Sequence, residues 1–424
     1  MKGRCKMKTF AIFGLSLLAV AALQAGPVVS NVKMSQAMNG TVTVGYQISG
    51  APAIVTFEIE TNSTDGVWRS IGAEPLVSAV GANQLVEEGP HVITWKPHKA
   101  WPGHKIAQDG ARAVVTAWAT NAPPDYLVAN LVEPYEVRYY TSTNALPDGG
   151  LANDIYRTSK IILRRIHAKG QTFMMGGSKQ FDSGYTESTG TTPHLVTLTR
   201  DYYIGIYELT QAQYSYVTGK RSGYDPTYWP EINYISTLPA TALFMGDYRG
   251  TPSANRISWP LTKYEVADAS LIGVLRSRNK VLFELPTEAE WEYACRAGAD
   301  TAIYDGVPGA AGRSAVAWYK GNDGTLHKVG EKAANGFGLY DTLGNVAEVC
   351  LDCRLTDGAR TNSIDPVGDL PTDSVTDVKR VYKGGCYYNE AFAITAANYG
   401  ADGNTGTPSI GARLVVVIEP HKFD

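Results

Sequence analysis

Leu285-Pro-Thr-Glu-Ala-Glu-Trp-Glu-Tyr-Ala-Cys-Arg-Ala-Gly298 and Asn335-Gly-Phe-Gly-Leu-Tyr-Asp-Thr-Leu-Gly-Asn-Val-Ala-Glu348 decide how this 424-residue chain is read. The first stretch opens a helix. Thr287 can accept from the backbone amide three residues on, and Glu290 can reach back to the Thr287 amide, the reciprocal arrangement of a capping box. Trp291, Tyr293 and Ala294 then read as core, and Cys295 beside them as a buried, inert thiol. The second stretch carries Gly336, Gly338 and Gly344, which mark turns that need positive φ or close packing. The capping pattern recurs at Thr210 with Gln213, closed by Gly219. It recurs again at Thr262 with Glu265, followed by an apolar stripe of Ala267, Leu271, Val274 and Leu275. Short strands and long loops rich in Gly, Asn and Asp fill the rest, an α+β pattern with few helices. This domain is expected over residues 160–418.

Upstream the period changes. Val42, Val44, Tyr46 and Ile48 alternate with polar or small residues, as do Val55, Phe57 and Ile59. His91 to Trp95 and Ala111 to Thr120 add two more strand-like runs. Short strands at such spacing with no helical period indicate an all-β sandwich over residues 27–121, of fibronectin-III or immunoglobulin type, read as a spacer. Asn121-Ala-Pro-Pro-Asp125 is a linker signal, and residues 122–159 are read as a linker, although Tyr126 to Ser142 is strand-like.

Residues 1–25 read as a signal peptide: Lys2, Arg4, Lys6 and Lys8 precede an apolar run from Phe10 to Leu23, with Ala25 before Gly26 as the cleavage point. The expectation is a secreted, periplasmic or cell-surface protein. No other stretch approaches 18 apolar residues, so no integral membrane segment is expected after cleavage. Removing the four basic residues takes 38 to 34 against 41 acidic ones, a net charge of −7, which argues against nucleic acid as a partner. Cys295, Cys350, Cys353 and Cys386 remain, too few for a disulfide scaffold but enough for a bridge.

The second domain resembles the sulfatase-modifying-factor, or formylglycine-generating-enzyme, family. Phe173-Met-Met-Gly-Gly177 is similar to that family's opening motif, and Pro193-His-Leu-Val-Thr-Leu198 leads to Tyr203-Ile-Gly-Ile-Tyr-Glu-Leu-Thr210 as in the family. The two stretches quoted first match its signatures, and Arg380-Val-Tyr-Lys-Gly-Gly385 begins its last motif, all in family order. The resemblance implies a C-type-lectin-like fold. It also implies a structural calcium ion held by the carboxylates of Asp341 and Glu348 and the carbonyls of Gly344 and Val346, oxygen donors of the kind calcium prefers. The alternative is that Asp341 caps a turn and Glu348 makes a salt bridge.

The family's oxidase chemistry needs a copper-binding cysteine pair after the last motif, because soft thiolates suit copper(I). Here that segment reads Gly384-Gly-Cys-Tyr-Tyr-Asn-Glu-Ala-Phe-Ala393. Cys386 stands where the family has Ser, the first active-site cysteine aligns with Asn389, and no cysteine follows Cys386. Copper is therefore not expected, and no catalytic residue is assigned. The seven histidines are scattered and make no iron-binding triad. Cys350-Leu-Asp-Cys353 lacks a thioredoxin-like setting and is only half a zinc site. A disulfide, Cys350 with Cys353 or either with Cys386, is the plainer reading; a redox or metal role and reduced thiols stay open.

The segment that begins at Cys386 carries Cys386, Tyr387, Tyr388, Asn389, Asn398 and Tyr399, read as candidate ligand contacts. Aromatics with adaptable amides are the composition of binding surfaces. The expectation is a non-catalytic, ligand-binding or surface-recognition protein whose partner is a protein or a glycan. The alternative is a divergent oxidoreductase of the formylglycine-generating type acting on exported proteins.

Overall fold

The computed structural model describes residues 26–62, 66–103, 110–177, 193–222, 237–250, 266–300, 310–354, 362–367, 379–390, 396, 399–402 and 406–418. The signal segment and Thr262 with Glu265 lie outside them.

The N-terminal unit is a β-sandwich. One sheet joins β1 (Val28–Gln36), β2 (Val42–Ser49) and β6 (Gly89–Trp95) in the order β1-β2-β6. The other joins β3 (Ala53–Asn62), β4 (Trp68–Ser70), β5 (Gln84–Val86) and β7 (Ala111–Ala119), with β3 at its centre. A one-turn helix, α1 (Pro97–Ala100), follows β6. Val42, Val44, Tyr46 and Ile48 point inward from β2 and meet Val55, Phe57 and Ile59 of β3. This is the expected alternation, since successive strand residues face opposite sides. On β3 the alternation fails: Ala53 to Phe57 are all buried. The second face of β3 is covered as well. Ile54 joins the core of the following domain with Leu127, Leu131 and Tyr139, and Trp118 of β7 packs against it. The sandwich is thus seated on its neighbour rather than held off as a spacer.

The next domain begins earlier than the sequence suggested. Its main sheet has the order β14-β20-β13-β10-β8-β9, built from β8 (Tyr126–Asn130), β9 (Val137–Tyr140), β10 (Lys160–Ile166), β13 (Tyr202–Gly205), β14 (Leu282–Glu284) and β20 (Val415–Val417). Residues 126–140, expected within a linker, supply the outer two strands. Their apolar runs bury both faces: Leu127 and Ala129 join the core with Ile54, and Tyr126 and Val128 join the core with Tyr156.

Two smaller sheets complete the domain. β11 (Gln171–Met175), β12 (His194–Leu198) and β16 (Ser363–Ile364) form one; His194 is buried on β12. β15 (Ala347–Arg354), β17 (Lys379–Lys383), β18 (Tyr399–Asp402) and β19 (Ile410–Gly411) form the other, in the order β18-β17-β15-β19.

The helices are α2 (Gln211–Thr218), α3 (Met245–Arg249), α4 (Leu271–Asn279), α5 (Glu288–Arg296) and α6 (Ala310–Val316). Both capping boxes within the described residues form as expected, at Thr210 with Gln213 and at Thr287 with Glu290. α4 starts later than expected, because Ser270 takes the cap by accepting from the Gly273 amide, and Ala267 precedes the helix.

Candidate functional site

Asp341-Thr-Leu-Gly-Asn345 is the turn that assembles the site. Asp341, Gly344 and Asn345 all have positive φ, a conformation that Gly takes freely and that Asp and Asn tolerate best among other residues. Gly344 is needed twice over, since a Cβ there would lie 2.2 Å from the Trp318 carbonyl oxygen. The turn leads into β15, which carries Glu348 into the interior.

Glu348 is fully buried and meets Arg413, also fully buried. Arg413 Nη2 donates to Oε1 at 2.8 Å and Nε to Oε2 at 3.1 Å, while Trp291 Nε1 donates to Oε2 at 2.6 Å. The remaining guanidinium hydrogens go to the carbonyls of Gly205, Ile206 and Tyr340. Beside this pair sits Glu208, which was not singled out from the sequence although it stands inside the Tyr203–Thr210 motif. Its Oε1 accepts from Val346 N at 3.1 Å and its Oε2 from Asn345 Nδ2 at 2.7 Å. Burial raises its carboxyl well above the ordinary range, and the nearby Asp341 and Glu348 raise it further. Asp341 Oδ2 accepts from Gly330 N at 2.5 Å. Burial pushes its pKa up to about 6.

Three carboxylates therefore share one guanidinium, an arrangement short of positive charge. Asp341 Oδ1 is buried without a hydrogen-bond partner, and an orphaned buried acceptor is costly. An additional divalent cation would answer both deficits, so the residues fit calcium in charge and donor chemistry. Glu348 departs from the expectation, since both its oxygens already accept from Arg413 and Trp291. Among the described residues no group of three or more His, Cys, Asp or Glu side chains is arranged to hold a metal alone. A calcium ion here would draw on the carbonyls of Gly344 and Val346 beside Asp341.

The second candidate surface follows β17. Cys386 is nearly buried and donates through Sγ to Asn389 Oδ1 at 3.1 Å; the same oxygen accepts from Cys386 N at 2.8 Å. Burial raises the thiol pKa. Asn389, which the resemblance aligned with that family's first active-site cysteine, thus closes a turn, and its carbonyl accepts from Lys320 N. Tyr388 is 53 % exposed, stacks edge-on with Tyr387, and hydrogen-bonds Ser409 at 3.1 Å. Tyr388 faces outward and Tyr387 is half-buried beside it, whereas Cys386, expected as a ligand contact, is buried. Asn398 lies outside the described residues, and Tyr399 is placed only as the first residue of β18.

Cys295, Cys350 and Cys386 are free and buried. A bridge from Cys350 or Cys386 is thus not formed; of Cys353 the structure gives only its place on β15. Burial pushes Cys295 up to about 12 and raises Cys350 as well, which makes both poor nucleophiles. Below β15, Lys383 is fully buried on Glu292 at 2.9 Å and Glu288 at 3.5 Å, and Arg296 completes the Glu292 pair. This cluster ties α5 to β17.

A family model described as the sulfatase-modifying factor enzyme 1-like domain matches residues 163–418. Among curated proteins, the formylglycine-generating enzyme of Thermomonospora curvata is 38% identical over 179 residues, covering 37% of this chain and 54% of that protein. The Mycobacterium tuberculosis enzyme of the same name is 30% identical over 199 residues, covering 37% and 64%. A protein named chaperone protein LppX from Paenibacillus barcinonensis is 28% identical over 211 residues, covering 41% and 68%. The chain thus spans about half to two thirds of these relatives' length. Among solved structures, Treponema denticola variable protein 1 is similar at 22% identity and a TM-score of 0.45, covering 61% of this chain and 95% of that one. PvdO from Pseudomonas aeruginosa is similar at 20% identity and a TM-score of 0.46, covering 60% and 94%. No described helix is long and apolar enough to cross a membrane.

Proposed function

Because the chain belongs to the sulfatase-modifying factor family, with its C-type-lectin-like fold, we propose that it is an exported, non-catalytic member that recognises a protein or glycan ligand. One observation carries this reading: Asn389 stands where the family's first copper-binding cysteine would be, and its side-chain oxygen is committed to holding the Cys386 turn. Soft thiolate ligands for copper(I) are missing from that position, and Cys386 is buried with a raised pKa. Tyr387 and Tyr388 offer a rigid aromatic pair on the same turn, suited to contact at low entropic cost. One curated relative carries the name of a chaperone rather than of an oxidase.

We also propose a structural calcium ion at Asp341, with the carbonyls of Gly344 and Val346 and with Glu348 shared between the ion and Arg413. Its role is to balance the buried carboxylates and fix the turn that enters β15. The ion is not assigned a chemical step.

The test is an oxidase assay. Mature protein is incubated with copper, oxygen, reductant and a sulfatase-type cysteine peptide, beside an active formylglycine-generating enzyme, and formylglycine is read by mass spectrometry. No conversion is expected. Conversion that is lost in Cys386→Ser would overturn the reading and make the protein an oxidase with a rebuilt thiol centre.

A further inference from the structure

The junction between the sandwich and the main sheet holds an open cleft of about 470 Å³, within the size range of small-molecule sites. We propose that it binds a neutral, hydroxyl-rich ligand of saccharide type. This site is separate from the Tyr387–Tyr388 surface and does not depend on that reading.

The walls come from both domains and are fixed to one another. Thr56, Phe57 and Glu58 of β3 line one side; Arg138, Tyr139 and Tyr140 of β9 line the other. Asn83 links them. Its carbonyl accepts from Tyr139 N at 2.8 Å, and its Oδ1 accepts from Phe57 N at 3.1 Å. Arg138 Nη1 donates to the Ala82 carbonyl, and Gly149 N donates to Glu74 Oε1 at 2.5 Å. With Ile54 buried in the second domain's core, the cleft is a formed feature and not a gap between tethered modules.

Its chemistry selects the ligand class. Phe57 and Tyr139 reach the lining only at their edges, because their rings are held in the two adjoining cores. Asn83, Asn130, Thr141, Ser142 and Asn144 add amides and hydroxyls. The lining cations are already used: Arg138 pairs with Glu136 at 2.5 Å and Lys160 with Asp148 at 2.7 Å. Glu58 has no ion pair among the described residues, so an anionic ligand meets an uncompensated carboxylate. Glu58 is thus an acceptor facing polar neighbours with no cation paired to it among the described residues, which calls for a donor-bearing ligand, and hydroxyls supply donors without charge. The volume suits about one or two pyranose rings.

The experiment uses the full mature chain and saturation-transfer NMR, with calorimetry for any hit. The probes are glucose, galactose, mannose, N-acetylglucosamine and cellobiose at millimolar concentration, with gluconate and a diamine as charged controls. At least one neutral sugar should bind saturably. Its affinity should fall roughly tenfold or more in Glu58→Gln, which weakens a charge-assisted hydrogen bond, and be lost in Ala145→Trp, which fills the cleft from its edge. Tyr388→Ala should leave it unchanged, while melting curves and near-UV circular dichroism confirm that each variant folds. Absence of saturable binding by every neutral sugar would overturn the proposal. So would preference for gluconate or the diamine, or equal affinity in folded Glu58→Gln and Ala145→Trp.

Discussion

Replacing Arg413 by Met keeps most of the side chain's volume and removes its charge and five donors. Glu348 then stays buried without its cation, and breaking a buried pair from one side costs about 3–5 kcal/mol. The carbonyls of Gly205, Ile206 and Tyr340 lose their donors as well, each loss worth about 1 kcal/mol or more where no water replaces it. Domains of this kind are stable by only about 5–15 kcal/mol, so the change consumes a large share. With about 2–4 °C lost per kcal/mol for a domain of this size, the ion-pair part alone lowers the melting temperature by roughly 6–20 °C. Arg413→Lys should fall between, because one ammonium keeps the charge but not the fork that reaches Glu348 and the carbonyls together. Scanning calorimetry and urea titration of the purified chain measure this. Adding Glu348→Gln to Arg413→Met removes the stranded charge and should recover about 1 kcal/mol or more, a coupling expected only for groups in contact. A melting point within about 2 °C of the parent for Arg413→Met, or no recovery in the double variant, would refute the claim that this pair carries the site, since that drop is below the about 2–4 °C of a single kcal/mol.

Removing calcium with a chelator should lower the melting temperature, by an amount equivalent to about 2.7 kcal/mol if the ion had been present at a hundredfold above its dissociation constant; an unchanged melting curve counts against the ion at Asp341. Gly344→Ala should destabilise by roughly 2–4 kcal/mol, combining left-handed backbone strain with overpacking against Trp318, and a soluble variant with parental stability in urea would contradict the geometry. Burial pushes Glu290 up to about 7, with the Thr287 amide opposing that rise. A raised carboxyl pKa means the folded state holds the proton more tightly, so this contribution is present below the unfolded pKa and lost as pH rises to about 7, at most ~3 kcal/mol before discounting for solvent at this half-buried side chain. Glu290→Gln should therefore flatten the stability profile between about pH 4.5 and 7, and a profile identical to the parent's would show that Glu290 does not titrate in that window. Glu292 runs the other way: burial alone would raise it, but Lys383 and Arg296 hold it down at about 2. Its contribution is present above the unfolded carboxyl pKa and lost as pH falls toward about 2. Glu292→Gln should destabilise at neutral pH by about 3–5 kcal/mol, leaving Lys383 half-paired, as read by urea unfolding.

How far the sequence could be read depended on whether a feature was local. The caps at Thr210 and Thr287 and the inward set of β2 need only a few neighbouring residues, and they form as read. The Gly344 turn is local too, because its left-handed backbone and crowding by Trp318 select for glycine directly. Long-range closure was harder. Residues 126–140 looked strand-like but unattached, and nothing within them shows that β10 lies alongside. Ile54 breaks the period of β3, which in hindsight marks a second buried face, yet one out-of-phase residue does not name its partner. Glu208 has no local sequence mark for a similar reason. It lies 140 residues before Glu348, and only the closure of β13 against β20 brings it and Arg413 to the same interior point. The sequence motifs therefore carry the turn and one carboxylate, while the electrostatics belong to the fold: three acids around one guanidinium, with one oxygen unpartnered. That division explains why family membership follows from motifs, whereas function does not. The proposed readings rest on the side chains of the Cys386–Asn389 turn and on a cleft made by seating one domain on another, and the second of these is invisible until both domains are folded.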